Sequence, residues 1–319
     1  MISASQRRCF RRVDGQVQPE TLLNPRPSST ATAFAVASLG IALFSGMDAV
    51  MKHLALALGA YNALLWRTMA GAIFGGLVFV AMRTPWPAWP VLRIHLIRGS
   101  VGTIMAILFF WGLARVPLAQ GVALAFVAPL IALYLAALVL KERIERRAIA
   151  ASLLGFAGVV VILAGQARAE LGADALRGSI AILCSAALYA WNIILMRQQA
   201  QVARPVEIAF FTSAIMTSGF LLAAPFLAAA PPAGELPAIA GAALLAFASL
   251  ILLSWAYARA EAQYLAPVEY TAFIWAATLG LLVFAEPVRP LTVFGAAMIV
   301  VACLIAARRT PATDAATGV

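Results

Sequence analysis

Apolar residues come in ten long runs, approximately 31–51, 62–82, 94–114, 117–140, 148–166, 178–196, 206–229, 237–258, 264–285 and 289–307. Each is close to the roughly 20 residues a helix needs to cross the hydrocarbon core of a bilayer. None shows the ten-residue alternation of a membrane barrel strand, so the pattern predicts an all-α membrane protein of ten transmembrane helices. Polar residues fall between the runs, in connectors such as "RTPWPAWPVLR" (83–93) and "AAAPPAGELP" (228–237), which leave no room for a soluble domain. Residues 1–30 form a polar leader with Arg7, Arg8, Arg11, Arg12 and Arg26. A secretory signal would place a short apolar region and a cleavage site soon after the charges. The leader is instead expected to be a disordered cytoplasmic tail, and a start codon assigned too far upstream is the alternative. Residues 308–319 form a second tail.

Composition agrees with a lipid solvent. Of 319 residues, 63% are hydrophobic and 11% charged, with mean hydropathy +0.93. Soluble domains are about 45–50% apolar and about 25% charged. The net charge of +10 does not point to nucleic acid, because the arginines cluster in connectors and form no basic stripe interleaved with aromatics. Cys9, Cys184 and Cys303 fit neither a disulfide framework nor a metal site, and His53 and His95 stand far apart. No phosphate loop, G-x-S-x-G or H-E-x-x-H is present. Neither a cofactor nor an enzyme activity is expected, and any transport must run on a gradient.

The loop charges predict orientation. With the amino terminus inside, the inner segments hold seventeen lysines and arginines: five in the leader, then Arg83, Arg93, Arg98, Lys141, Arg143, Arg146, Arg147, Arg197, Arg204, Arg259, Arg308 and Arg309. The outer segments hold five: Lys52, Arg115, Arg168, Arg177 and Arg289. That bias places both termini in the cytoplasm.

The chain also repeats itself. "WGLARVPLAQGVALAFVAPLIALYLAALVLKE" (111–142) aligns without gaps on "WAYARAEAQYLAPVEYTAFIWAATLGLLVFAE" (255–286), at an offset of 144. Trp111 meets Trp255, Arg115 meets Arg259, and Glu142 meets Glu286. Met51-Lys52 meets Met196-Arg197 at an offset of 145. The halves are 31–166 and 178–307, each of five helices. An odd number makes equivalent helices cross in opposite directions, an inverted repeat of the kind used for alternating access.

These segments resemble EamA-type members of the drug/metabolite transporter superfamily over residues 31 to 307. The likeness is carried by "MDAVMKHLALALGAYNALLWRTMAG", "KERIERRAIAASLLGFAGVVVILAG" and above all "YLAPVEYTAFIWAATLGLLVFAEPV". It implies a bacterial inner-membrane transporter with a central cavity lined by helices 1, 3, 4, 6, 8 and 9. It does not carry a substrate, a direction or a coupling ion, and Thr212 stands where the first half has Arg67.

Several polar residues lie inside apolar runs, where a charge facing lipid costs several kcal/mol. Glu269 lies near the start of the ninth run. Its functional reading is a site for a substrate amine or a proton, and its structural reading is an ion pair with Arg259 or Arg197. Asp48, with Ser45 and Lys52 on the same helical face, shares a depth with Arg67, and either a salt bridge or substrate contact fits them. Tyr189 and Asn192 make a polar stripe with Ser185, for which interhelical hydrogen bonding is the plainer explanation. Trp111, Trp255 and Tyr270 are either cavity aromatics or interfacial belt residues. The expected function is secondary transport of a small polar metabolite, such as an amino acid. The alternatives are a proton-coupled exporter of cationic or aromatic compounds and, more remotely, a membrane scaffold or intramembrane enzyme.

Overall fold

The computed structural model describes residues 10–13, 16–19, 30–128, 130–132, 135, 146–168, 172–200, 202–257 and 268–307. The leader, expected to be disordered, carries a two-stranded antiparallel hairpin, β1 (Phe10–Val13) and β2 (Gln16–Pro19), with Phe10 opposite Pro19. Every one of the ten apolar runs carries helix.

The first two runs form α1 (Thr30–Ala81), broken into two arms at Gly59. There the backbone takes φ 77° and ψ 150°, a conformation that a side chain with a β-carbon disfavours. The other helices are α2 (Trp89–Leu113), α3 (Leu118–Ala125), α4 (Arg146–Arg168), α5 (Gly172–Ala200), α6 (Pro205–Leu221), the single turn α7 (Ala224–Leu227), α8 (Leu236–Tyr257), α9 (Ala272–Phe284) and α10 (Pro290–Ala307). Proline opens α6 and α10, where its missing N–H would have had no helical partner. α1, α2, α5 and α8 are long and apolar enough to cross a bilayer, and shorter apolar helices cover the remaining runs. Leu77, Phe156, Leu222 and Leu282 point outward, as a lipid-facing bundle requires.

The turns gather at two ends. The Gly59 end holds the bend of α1, residues 114–117, 228–235 and 285–289. It is tied together by hydrogen bonds from Trp66 Nε1 to the Ala229 carbonyl (2.8 Å) and from the Ala229 N–H to Asn62 Oδ1 (2.9 Å). The Pro85 end holds residues 82–88 and 202–204.

Helices that the repeat makes equivalent pack against each other. Gly155 faces Ala302, Gly158 faces Ile299, Gly295 faces Ile162, and Gly165 faces Leu291. As one number rises the other falls, so α4 and α10 meet in antiparallel register. The second arm of α1 meets α6 in the same way, with Tyr61 bonded to the Phe220 carbonyl, Gly71 on Ser213 and Gly75 on Phe210. α3 and α9 repeat it, with Leu118 beside Gly280 and Phe126 on Tyr270. The remaining large contacts, α1 on α8 and α2 on α5, change places when the halves are exchanged.

The α4–α10 crossing depends on two glycines. A β-carbon on Gly158 would lie 2.7 Å from the Gly295 carbonyl oxygen, and one on Gly295 would lie 2.6 Å from the Gly158 oxygen. Gly158→Leu is therefore expected to separate the helices and cost about 1–3 kcal/mol, read as a lower melting temperature in detergent. An unchanged melting temperature would contradict this packing.

Candidate functional site

Two helices are interrupted at positions that correspond in the repeat. α3 ends at Ala125, and Phe126 and Val127 form a turn before helix resumes. There the N–H groups of Phe126 and Val127 reach back only three residues, to Ala123 and Leu124, both at 3.3 Å. Val268 and Glu269 are helical, Tyr270 and Thr271 form a turn, and α9 begins at Ala272, with the Thr271 N–H on the Val268 carbonyl at 3.0 Å. Residues 126 and 127 correspond to 270 and 271 at the offset of 144. The two breaks face each other, with the Phe126 and Tyr270 rings edge to face at 5.3 Å. Glu269 thus lies immediately before an interruption rather than inside a continuous helix. Irregular backbone at membrane depth is tolerated where protein or a cavity covers it.

Near these breaks the structure gathers charged groups from several helices. The Tyr189 hydroxyl, deep in the bundle on α5, lies in the electrostatic field of Glu269, of Arg98 on α2 and of Asp48 on α1. Tyr189 keeps 36% of its surface accessible. Asp48 and Arg67 interact electrostatically, but the direct salt bridge read as one possibility from the sequence does not form: Asp48 Oδ1 and Arg67 Nε have no hydrogen-bond partner.

Lys52 leaves this group altogether. Its ammonium is 2% exposed, forms an ion pair with Glu286 and donates to the Val116 carbonyl at 2.7 Å. Glu286 Oε2 accepts the Leu118 N–H at 2.8 Å, which places a carboxylate on the first turn of α3, and the Phe284 ring lies 5.1 Å from the ammonium. This cluster closes the Gly59 end by joining α1, the start of α3 and the end of α9.

At the opposite end, a relay crosses the bundle. Glu207 Oε1 meets His95 Nε2 at 3.0 Å, and the ring stacks on Phe211 at 4.8 Å. His95 Nδ1 faces the Gln199 amide nitrogen, and the Gln199 oxygen accepts from Arg98 Nη1. Arg98 also donates from Nε to Asn192 Oδ1 (3.2 Å) and from Nη1 to Thr212 Oγ1 (3.5 Å). The network assigns the tautomer: Nδ1 accepts from the amide, so the ring proton sits on Nε2 and is donated to Glu207. Glu207 lines a recess of about 450 Å³ at the Pro85 end, with Trp86, Val91 and Arg204.

Of the residues singled out from sequence, Asp48, Tyr189 and Glu269 therefore share one neighbourhood with Arg98, and Arg67 acts on Asp48. Asn192 holds Arg98, and Ser185 donates to the Met105 carbonyl at 2.8 Å, so that stripe does make interhelical hydrogen bonds. Tyr270 packs on the facing break. Trp255 packs with Val268 and Ile41, beside the second break. Trp111 lies in the last turn of α2 at the Gly59 end, with Arg115 stacked 3.6 Å from its ring. The proposed partners of Glu269 lie outside the description: Arg259 and the side chain of Arg197 are not among the described residues.

Sequence reasoning passed over two residues. Arg98 is buried among helices and is not a loop charge, and the signal was His95 and Arg98 one turn apart in the third apolar run. Glu286 was visible only as the match of Glu142.

A sequence profile of the EamA-like transporter family matches residues 31–164 and 176–308, once in each half. The chain belongs to this family. The pseudopaline exporter CntI of Pseudomonas aeruginosa is 28% identical over 277 residues, covering 83% of this chain and 92% of that protein. The riboflavin transporter of Rhizobium johnstonii is 29% identical over 242 residues, covering 72% of this chain and 75% of its own length. A solved crystal structure superposes with a TM-score of 0.59 at 20% identity, covering 88% of this chain and all of that one, a likeness of fold alone. The protein is a multi-pass EamA-type membrane transporter of the drug/metabolite superfamily, not a member of an enzyme family.

Proposed function

We propose that this chain carries a small polar metabolite across the bacterial inner membrane by alternating access between two inverted five-helix repeats. The observation that carries this reading is the antiparallel register of equivalent helices, α4 on α10 above all. An interface that exchanges into itself when the halves are swapped gives two related arrangements, one open to each side. The facing breaks at Phe126–Val127 and Tyr270–Thr271 support a central site, with Asp48, Arg67, Tyr189, Asn192, Glu269 and Tyr270 around it. In the arrangement described, the Lys52–Glu286 pair holds the Gly59 end together.

Relatives named for pseudopaline and for riboflavin differ in cargo, so membership alone fixes no substrate. Reconstitution in proteoliposomes is the test: protein-dependent movement of polar metabolites is expected, and its absence would remove the transport reading for this chain. A proton-coupled exporter of cationic or aromatic compounds is the second reading, favoured by an ionisable Glu269 whose field reaches the Tyr189 hydroxyl.

The Pro85 end and both termini are assigned to the cytoplasm. Lys52 and Arg98 are buried, which removes one charge from each side of the loop count and leaves the bias intact. In a variant lacking native cysteines, a cysteine at Arg177 should react with an impermeant reagent in intact cells. One at Arg204 should react only after the cells are opened. The reverse pattern would overturn the orientation.

A further inference from the structure

At the Pro85 end, one chain of hydrogen bonds ties α2, α5 and α6 together, and each link has a single possible direction. Arg98 on α2 donates and never accepts, so the Gln199 atom turned toward it from α5 is the amide oxygen. The Gln199 NH2 group is then committed to His95 on α2, whose Nδ1 accepts. His95 Nε2 in turn donates to the Glu207 carboxylate on α6 at 3.0 Å. His95 and Gln199 are each 1% exposed, so bulk water cannot replace a partner that is lost.

This chain has no place for a proton at His95 Nδ1. With both ring nitrogens donating, Nδ1–H would face the Gln199 NH2 group, donor against donor. Turning the amide over offers Nδ1–H the oxygen but brings the NH2 group against Arg98 Nη1. The amide has one oxygen and, on opposite sides, two neighbours that only donate. Imidazolium and guanidinium would also stand one turn apart on α2, where like charges repel. The helices packed against α2 are α1, α3, α5 and α6. Facing the ring, α6 brings Glu207, α5 brings the neutral Gln199, with Tyr189 beyond Arg98, and α1 brings Phe79, packed on the same Phe211. α3 has no titratable residue, and Arg83, Arg93 and Arg204 at this end are exposed.

We infer that His95 is a proton-operated latch: a proton taken up at Nδ1 inverts the Gln199 amide and releases Arg98 from it, loosening the Pro85 end. The proton comes from water on that side, the ring becomes imidazolium, and Glu207 stays a carboxylate. One positive charge is gained, and no bond between heavy atoms changes. Glu207 lines the recess of about 450 Å³, which brings water to within one residue of the ring. With the Gly59 end held by Lys52 and Glu286, opening of the Pro85 end then depends on the pH on its own side. The latch goes beyond the transport reading and needs no cargo to operate.

The chain has two histidines, so His53→Gln leaves His95 as the one ring in the full-length protein. Nitrogen-15 NMR of that protein, labelled at histidine, free of any histidine tag and held in lipid nanodiscs, reads tautomer and protonation directly. Buffers from about pH 8 to about pH 5 cover the span in which histidines change charge. At the upper end the ring should carry its proton on Nε2 alone, and as pH falls it should become imidazolium. Amide hydrogen exchange over residues 199–208 reads the release. Gln199→Glu is its reference, because a carboxylate has two oxygens and accepts from Arg98 and from imidazolium together. The ratio of exchange rates, wild type over Gln199→Glu, should rise about tenfold as the ring charges, the loss of one hydrogen bond to a charged group. His95→Gln should show no such step, and it replaces Gln199→Glu as the reference if that variant does not fold. A ring protonated on Nδ1 at pH 8, a ring neutral throughout, or a ring that charges with the ratio unchanged would each overturn the latch. Since none of these readouts uses cargo, any of them leaves the transport reading standing, and an absence of flux in proteoliposomes removes that reading alone.

Discussion

Lys52→Met is expected to be among the most damaging single substitutions in the protein, and Lys52→Met with Glu286→Gln is expected to recover much of the loss. The single change leaves the Glu286 carboxylate with the Leu118 N–H alone and removes the donor to the Val116 carbonyl. Removing one partner of a buried pair costs about 3–5 kcal/mol, because the remaining charge stays out of water. Glu286 is 23% exposed, so solvent screens part of that and about 2–3 kcal/mol is the better expectation. The double variant leaves no orphan charge, and its remaining deficit is the Val116 carbonyl, worth about 1–3 kcal/mol if it stays dry. Melting temperatures of the purified variants in detergent decide this. A double variant no more stable than the worse single one would mean that the pair is not what holds the Gly59 end.

Glu269→Gln separates the possible duties of the glutamate beside the break. The substitution keeps size and hydrogen bonding and removes titration and charge. If Glu269 couples transport to protons, the variant still exchanges cargo across the membrane but loses acceleration by an imposed pH gradient. Loss of affinity at every pH, about tenfold or more, identifies a contact to a cationic group of the cargo instead. Reduced yield with unchanged KM and pH response would leave the residue as scaffolding and remove it from the site.

How much of this was legible beforehand depended on the length scale of the signal. The ten spans were readable because lipid demands about twenty apolar residues per crossing, and the halves because Trp111, Arg115 and Glu142 recur as Trp255, Arg259 and Glu286. The opposite directions of α4 and α10 followed from counting five helices per half, whereas their packing on each other did not. The helix breaks were marked only by nearby prolines, Pro129 two residues after Val127 and Pro267 three residues before Tyr270, since Phe126-Val127 and Tyr270-Thr271 themselves carry no turn signature. The pairing of charges was not legible. Asp48 and Lys52 lie one turn apart on one helix face, yet Lys52 reaches Glu286, 234 residues away, a choice set by how α9 ends against α3. Arg98 was misplaced because arginines near a span's end normally count as loop charge, and only its three acceptors from α5 and α6 identify it as part of the interior.

The central claim is that opening and closing of the Gly59 end is an obligatory step of transport. Cysteines at positions 52 and 286, in a chain without its native cysteines, remove both charges together and allow that end to be clamped by a short bifunctional thiol reagent. A further cysteine at Tyr189 reports access to the site from the Pro85 side of the same proteoliposomes. The clamp should stop cargo flux, reductive cleavage of the clamp should restore it, and labelling at position 189 from the Pro85 side should persist while flux is stopped. Flux continuing at its unclamped rate through crosslinked protein would contradict alternating access in this chain.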